Sequence, residues 1–234
     1  MAAIEMVNLT KHYKQGKNVI KALDGVNLKI ESGEFVAVVG RSGSGKTTLL
    51  DLLGLLLRPT AGTVVIDGVD TSKLKDGDRA TMRGESIGFI FQEFNLLPTL
   101  NALENVMLPL RYAKKDPQGP ARARRLLDEV DLGDRVTHKP TELSGGQSQR
   151  VAIARSLVNN PALVLGDEPT GEVDSETSDQ LLDLMRRMNR EHGVTFVIVT
   201  HDMDIAQRAD RIIRLKDGKV ASDEPIAARE MALS

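Results

Sequence analysis

The stretch GRSGSGKT, from Gly40 to Thr47, constrains the fold of this chain more than any other. It satisfies G-x-x-x-x-G-K-[ST] in full. Before it runs FVAVV (35 to 39), and after it KTTLLDLLGLLL (46 to 57). An unbroken apolar pentapeptide marks a strand buried on both faces of a sheet, and the segment after the loop reads as a helix. Strand, glycine loop and helix form the setting in which this motif holds phosphate. The glycines let the backbone close around the anion, its N–H groups point inward, and the helix dipole favours negative charge. Gly40, Arg41, Ser42, Gly43, Ser44, Gly45, Lys46, Thr47 and Thr48 are therefore the expected cradle. Lys46 is placed to neutralise the β- and γ-phosphates, and the Thr47 hydroxyl to ligate Mg²⁺.

The rest of the pattern agrees with an α/β fold. IEMVNL (4 to 9) and VNLKI (26 to 30) alternate as half-buried antiparallel strands do, and TVVIDG (63 to 68) is a strand ending at a turn. SIGFIFQ (86 to 92), ALVLG (162 to 166), VTFVIVT (194 to 200) and RIIRL (211 to 215) supply further strands. Helices are expected over 116 to 158, broken at Gly133 and Lys139-Pro140, and over roughly 175 to 192. The chain has 234 residues, a length that suits one large domain. The expected domain is a P-loop NTPase core, roughly 1–92 and 159–234, with a mostly parallel sheet and helices on both faces. That core includes an N-terminal antiparallel β piece, and a helical insertion at roughly 93–158 splits it.

Two carboxylates follow a buried strand in ALVLGDEPT (162 to 170), where open α/β sheets build their sites. Asp167 suits Mg²⁺, through water. Glu168, expected on the opposite face of the strand, can polarise an attacking water. Gln92 ends the strand SIGFIF, where its amide can ligate Mg²⁺ and sense the γ-phosphate. His201 follows VTFVIVT and can donate to a γ-phosphate oxygen while holding the water. Tyr13, read as lying in a loop after the first strand, offers a ring that can stack on adenine. The guanine-reading N-K-x-D pattern is absent, which favours ATP over GTP.

One stretch is left over. LSGGQSQR (143 to 150) precedes the apolar-periodic VAIARSLV; Ser144 can cap a helix there, and the first N–H groups can bind phosphate. The chain's own ATP is already enclosed at 40 to 48, so a second anion site needs a second ligand or the ATP of another copy.

Composition removes other classes. With a net charge of −2 and 3% aromatic residues, nothing attracts or stacks nucleic acid. The absence of cysteine excludes disulfides and thiolate metal sites. MAAIEMVNLTKHYKQ lacks the apolar core of a signal peptide, and LLDLLGLLL (49 to 57) falls well short of the ~20 apolar residues that span a bilayer. The acidic end SDEPIAARE (222 to 230) is too short for a regulatory domain.

Taken in order, these residues resemble the ATP-binding subunit of ABC transporters. Tyr13 stands as the A-loop, GRSGSGKT as Walker A, Gln92 as the Q-loop, and LSGGQ as the signature. LVLGDE stands as Walker B, GEVD (171 to 174) as the D-loop, and His201 as the switch histidine. The resemblance implies a head-to-tail dimer with two ATP molecules. Each lies between one subunit's Walker A and the partner's Ser144, Gly145, Gly146 and Gln147. It implies ATP and Mg²⁺ as cofactors, with Thr47, Gln92 and Asp167 at the metal and Glu168, His201 and Lys46 in catalysis. It implies a separate transmembrane permease contacted near 92–110, and a cytoplasmic subunit peripheral to the membrane's inner face. FIFQEFNLLPTLNALENVMLPL and LGLLLRPTAGTVVIDG are similar to the lipoprotein-release and macrolide-export subgroup. A cell-division cassette that signals without moving solute, and an amino-acid importer, carry similar text; a soluble DNA-repair or iron–sulfur cassette fits the composition poorly. The chain departs from the family pattern at three places. Ser148 interrupts QQR; Glu172-Val173 puts a carboxylate near the dimer seam; and Gly166, often alanine, is expected to loosen local packing.

Overall fold

A computed structural model describes residues 2–16, 18–114 and 116–226. The part of SDEPIAARE from Ala227 onward lies outside the described residues. The chain runs β1 (Ala2–Gln15), β2 (Asn18–Glu31), β3 (Phe35–Val39), α1 (Lys46–Leu53), β4 (Ala61–Ile66), β5 (Val69–Asp70), α2 (Asp76–Ser86) and β6 (Ile87–Ile90). It continues through α3 (Ala102–Met107), α4 (Gly119–Glu129), α5 (Gly145–Leu157), β7 (Leu163–Asp167) and α6 (Ser175–His192). β8 (Thr195–Thr200), α7 (Met203–Ala206), β9 (Arg211–Lys216) and β10 (Lys219–Pro225) follow.

The larger sheet has the order β10-β9-β3-β8-β7-β6, parallel throughout except for β10 at the edge. Its central strands explain their own apolar runs. In β3, Phe35, Ala37 and Val39 enter one core while Val36 and Val38 enter the other. β8 divides likewise, with Phe196 and Ile198 on the first side and Val197 and Val199 on the second. Both faces are buried, so no alternation survives in the sequence. Phe35 pairs with Phe196 in register and stacks on it at 5.3 Å between centroids. Each ring is fully buried, which contributes about 1.5–3 kcal/mol. The first core holds the apolar sides of α3, α4, α5 and α6; the second holds α1 and the small sheet β2-β1-β4-β5, antiparallel throughout. The fold is thus α/β of P-loop NTPase type, with helices on both faces, an antiparallel β layer and a helical insertion between β6 and β7.

Several elements differ from the sequence expectation. The helix after the glycine loop stops at Leu53; Gly54 closes it, and Leu55 takes a left-handed φ of 56°. α2 and β10 were not foreseen. α2 is polar along most of its length, and it is anchored instead by the buried Arg79, which donates to the carbonyls of Leu55 and Leu57. The stretch 93 to 110 lacks periodicity because a buried polar residue organises it. Asn105 Nδ2 donates to the carbonyls of Leu97, Leu100 and Asn101, and its Oδ1 accepts from Leu97 N–H.

Candidate functional site

Parallel pairing brings four strand ends to one edge of the larger sheet. Val39 lies beside Thr200, Asp167 beside Val199, and Ile90 beside Gly166. The glycine loop, His201, Glu168 and Gln92, which leave these strands, consequently open on the same side.

The loop from Gly40 to Gly45 enters α1 through Gly45, whose φ of 105° is left-handed. A Cβ there would run into the carbonyl of Ala22 on β2, so both conformation and space require glycine. α1 has no side-chain cap and no acidic residue in its first turn. The N–H groups of Lys46, Thr47 and Thr48 have no partner within the helix and are available to an anion. Lys46 Nζ donates to the carbonyls of Gly40 at 2.7 Å and Arg41 at 3.3 Å, and so is folded over the loop.

Carboxylates face this cation. Asp167 is half-buried, and its carboxyl is pushed above the usual range by burial, then by Glu168 and Asp51, with Lys46 pulling the other way. Asp51, on α1, is raised by burial as well. Three carboxylates against one lysine make a site that an added cation relieves. Among the described residues no three His, Cys, Asp or Glu side chains converge as a metal cage.

Glu168 lies just past the end of the strand rather than within its alternation. β7 ends at Asp167, and Glu168 turns into a left-handed conformation, φ 46°, held by its N–H to Val199 O at 2.9 Å. That rotation swings its carboxylate to His201, whose Nδ1 lies 2.8 Å from Glu168 Oε1. The bond to Glu168, and then its charge, push the His201 imidazole above its ordinary value of 6.5. Gly166 does not loosen its surroundings either. A Cβ there would stand 3.0 Å from Ile198 Cγ2, so the strand is already tightly packed.

Tyr13 lies inside β1, opposite Ile20 on β2, and not in a loop. Its ring is 37% exposed, with Lys11 Nζ 5.3 Å from the centroid on β1. Gln92 is exposed, and its Nε2 donates to Glu172 Oε1 at 2.8 Å.

The second loop is a helix start. Ser144 caps α5 through a reciprocal box: Ser144 Oγ accepts from Gln147 N–H at 3.2 Å, and Gln147 Oε1 accepts from Ser144 N–H at 2.9 Å. The Gln147 side chain is thereby committed within the chain. The Ser144 hydroxyl proton and the first N–H groups of α5 remain for an anion. Among the described residues no hydrogen bond joins this loop to the one at 40 to 48, so the starts of α1 and α5 are separate within one chain.

Two residues of α5 escaped the sequence reading. Gln149 is fully buried and donates to the carbonyls of Phe91 and Pro169, next to Gln92 and Glu168. Arg155 donates to the carbonyls of Asn95 at 2.5 Å and Phe94 at 2.7 Å, and burial lowers its pKa to about 10. For Arg155, a charged side chain embedded in the apolar run VAIARSLV was the available signal; Gln149 lies ahead of that run, in LSGGQSQR, where nothing marked it as buried.

A family model described as "ABC transporter" matches residues 23–171. The ABC transporter ATP-binding protein MJ0796 of Methanocaldococcus jannaschii is 49% identical over 228 residues, covering 95% of this chain and 97% of its own length. The lipoprotein-releasing system ATP-binding protein LolD of Geobacter metallireducens is 50% identical over 221 residues, covering 94% and 98%. The macrolide export ATP-binding/permease protein MacB of Syntrophobacter fumaroxidans is 49% identical over 223 residues, covering 94% of this chain but 31% of MacB. The chain spans about a third of the macrolide-export relatives it matches. A solved dimeric structure of MJ0796, in a post-hydrolysis state with ADP and Pi, superposes with a TM-score of 0.86 at 45% identity, covering 97% of this chain and 100% of the other. Matched by the family model over more than half its length, and by near-full-length relatives at about half identity, this chain belongs to the ABC transporter family, as one of its ATPase cassettes.

Proposed function

We propose that this cassette drives a transmembrane permease, closing head to tail on a second copy around two ATP molecules and reopening on hydrolysis. The observation that carries the proposal is the pair of unconnected anion-receiving helix starts, α1 and α5, on one chain. Two-fold pairing lets each copy's α1 hold an ATP that the other copy's α5 completes. The relative MJ0796, dimeric with ADP and Pi, supports this reading.

In the closed site, the loop at 40 to 48 and Lys46 hold the phosphates, and Tyr13 stacks on adenine. Ser144, Gly145 and Gly146 of the other copy donate to the γ-phosphate. Thr47, the Gln92 side-chain carbonyl and, through water, Asp167 would hold Mg²⁺, which would supply positive charge against the developing phosphate charge. Glu168 polarises the attacking water. His201 gives up its contact with Glu168 to bond the γ-phosphate and hold that water.

The permease contact belongs in a groove of about 570 Å³ between α2, β6 and the stretch after Gln92. Leu56, Phe89, Phe91, Leu108 and Tyr112 give it an apolar wall; its charged lining residues are Arg83 and Arg155, with no carboxylate among them. An amphipathic segment bearing an acidic residue fits it. We place the cassette on the inner face of the cell membrane through that permease. Among the described residues no helix is long and apolar enough to cross a membrane. Lipoprotein release and macrolide export, named for the relatives LolD and MacB, set the expected type of transport.

The test is Glu168→Gln. It should bind ATP, lose turnover by two orders of magnitude or more, roughly the scale of a general base's contribution, and accumulate as a dimer in gel filtration with ATP. Turnover at the parent rate would overturn the assignment.

A further inference from the structure

Glu172 follows the turn that begins at Glu168, and its carboxylate accepts a hydrogen bond from Gln92 Nε2 at 2.8 Å. A glutamate carboxylate at neutral pH offers acceptors only. The end of the Gln92 amide that faces it is therefore the NH₂ group, and the carbonyl oxygen is the end turned away. Magnesium takes oxygen, not amide nitrogen. The contact thus decides which end of Gln92 a metal meets. Gly171 closes another side of the amide, since a Cβ there would stand 3.3 Å from Cγ, Cδ and Nε2 of Gln92. Glu172 also adjoins the second loop, because its carbonyl oxygen lies 3.7 Å from the Cβ position of Gly145.

We propose that Glu172 is a positioning residue for the Mg²⁺·ATP complex: its carboxylate fixes the Gln92 amide so that Oε1 faces the metal. This rests on the reading of Gln92 as a metal ligand and adds the residue that orients it. In the isolated chain both residues are exposed, and water competes for the bond. Closure over ATP removes that water and strengthens the contact, so the effect belongs to the ATP-held state. Glu172 itself touches neither metal nor nucleotide.

The experiment uses the full chain with Glu168→Gln, which keeps ATP intact, and Mn²⁺ as a paramagnetic probe of the Mg²⁺ position read by EPR. Adding Glu172→Ala should weaken Mn²⁺ binding to the ATP complex roughly tenfold, the low end of what a partner behind a metal ligand contributes. Affinity for ATP in EDTA should not change. Glu172→Gln, whose carbonyl still accepts from Gln92, should recover part of the loss. Gln92→Ala should weaken Mn²⁺ binding as much, and the double variant should lose no more than Gln92→Ala alone. Parent-like Mn²⁺ affinity in Glu172→Ala, with Gln92→Ala weakened, overturns the role of Glu172 alone. Parent-like affinity in Gln92→Ala removes Gln92 from the metal, and the proposal with it. Loss of metal-free ATP affinity in Glu172→Ala would show general disruption of the site, which also overturns it.

Discussion

His201 Nδ1 and Glu168 Oε1 stand 2.8 Å apart, so the residue placed to hold the γ-phosphate is bonded to the residue placed to polarise water. Without ATP each satisfies the other. On the proposed roles, a phosphate would have to compete with Glu168 for the histidine.

That pairing predicts a pH signature. The His201 imidazole is raised above 6.5, chiefly by its bond to Glu168. The charged pair is complete below 6.5 and is lost as pH rises through the higher folded value. Its side chain is 77% exposed, so the effect on global stability is small. In an NMR titration of the histidine ring, Glu168→Gln should move the His201 midpoint downward. A midpoint that stays put would break the link.

Gly146 tests the division of labour between the two loops. A Cβ there would lie 2.6 Å from Thr177 Cγ2, and Thr177 cannot retreat because Asp174 accepts bonds from both its N–H and its Oγ1. Gly146→Ala should strain the start of α5 by about 1–3 kcal/mol. Binding of ATP to the isolated chain, followed by fluorescence of a labelled analogue, should hold within twofold, while turnover and ATP-driven dimerisation fall at least roughly tenfold, as that strain implies. Gly146→Asp should do the same more severely. Loss of ATP binding by the isolated chain would reverse the picture.

Gln149 should matter beyond its distance from phosphate. Gln149→Leu removes the donor to the Phe91 and Pro169 carbonyls and leaves both without that partner. Each unsatisfied buried group costs about 1–3 kcal/mol. A lower melting temperature together with a lower kcat is expected, because the released carbonyls adjoin Gln92 and Glu168. An unchanged melting temperature would contradict the assignment.

Asp167 should show opposed effects on stability and function. Its carboxyl is raised above 3.8 by burial first, so the charged form is disfavoured, and its stabilising protonated form is lost as pH rises through the folded value. At neutral pH without metal, Asp167→Asn removes that unfavourable charge. The melting temperature should rise by roughly 2–4 °C, the shift that about 1 kcal/mol gives a chain of this size. Stabilisation by Mg²⁺·ATP in the same thermal scan should shrink, and turnover should collapse.

What the sequence disclosed follows from how each feature is built. β3, β7 and β8 are buried on both faces, and the glycine loop requires a local pattern, so residues 35 to 48 and 163 to 167 were readable directly. The contact of Glu168 with His201 was not legible, because a left-handed φ leaves no mark in a string of letters. α2 was missed because Arg79, a polar residue, does the anchoring there through backbone carbonyls. Gln149 and Arg155 were missed for the same reason, since their partners are main-chain oxygens. The Glu172 to Gln92 contact joins residues 80 apart, and only the folded chain brings them together.

Arg155 grips the carbonyls of Phe94 and Asn95, two consecutive residues with left-handed φ of 58° and 50°. Such a pair has little torsional slack, and the guanidinium that holds it grows from the same helix that begins at Ser144. The groove wall and the second loop are therefore two ends of one stiff rod, with Arg155 as its rivet.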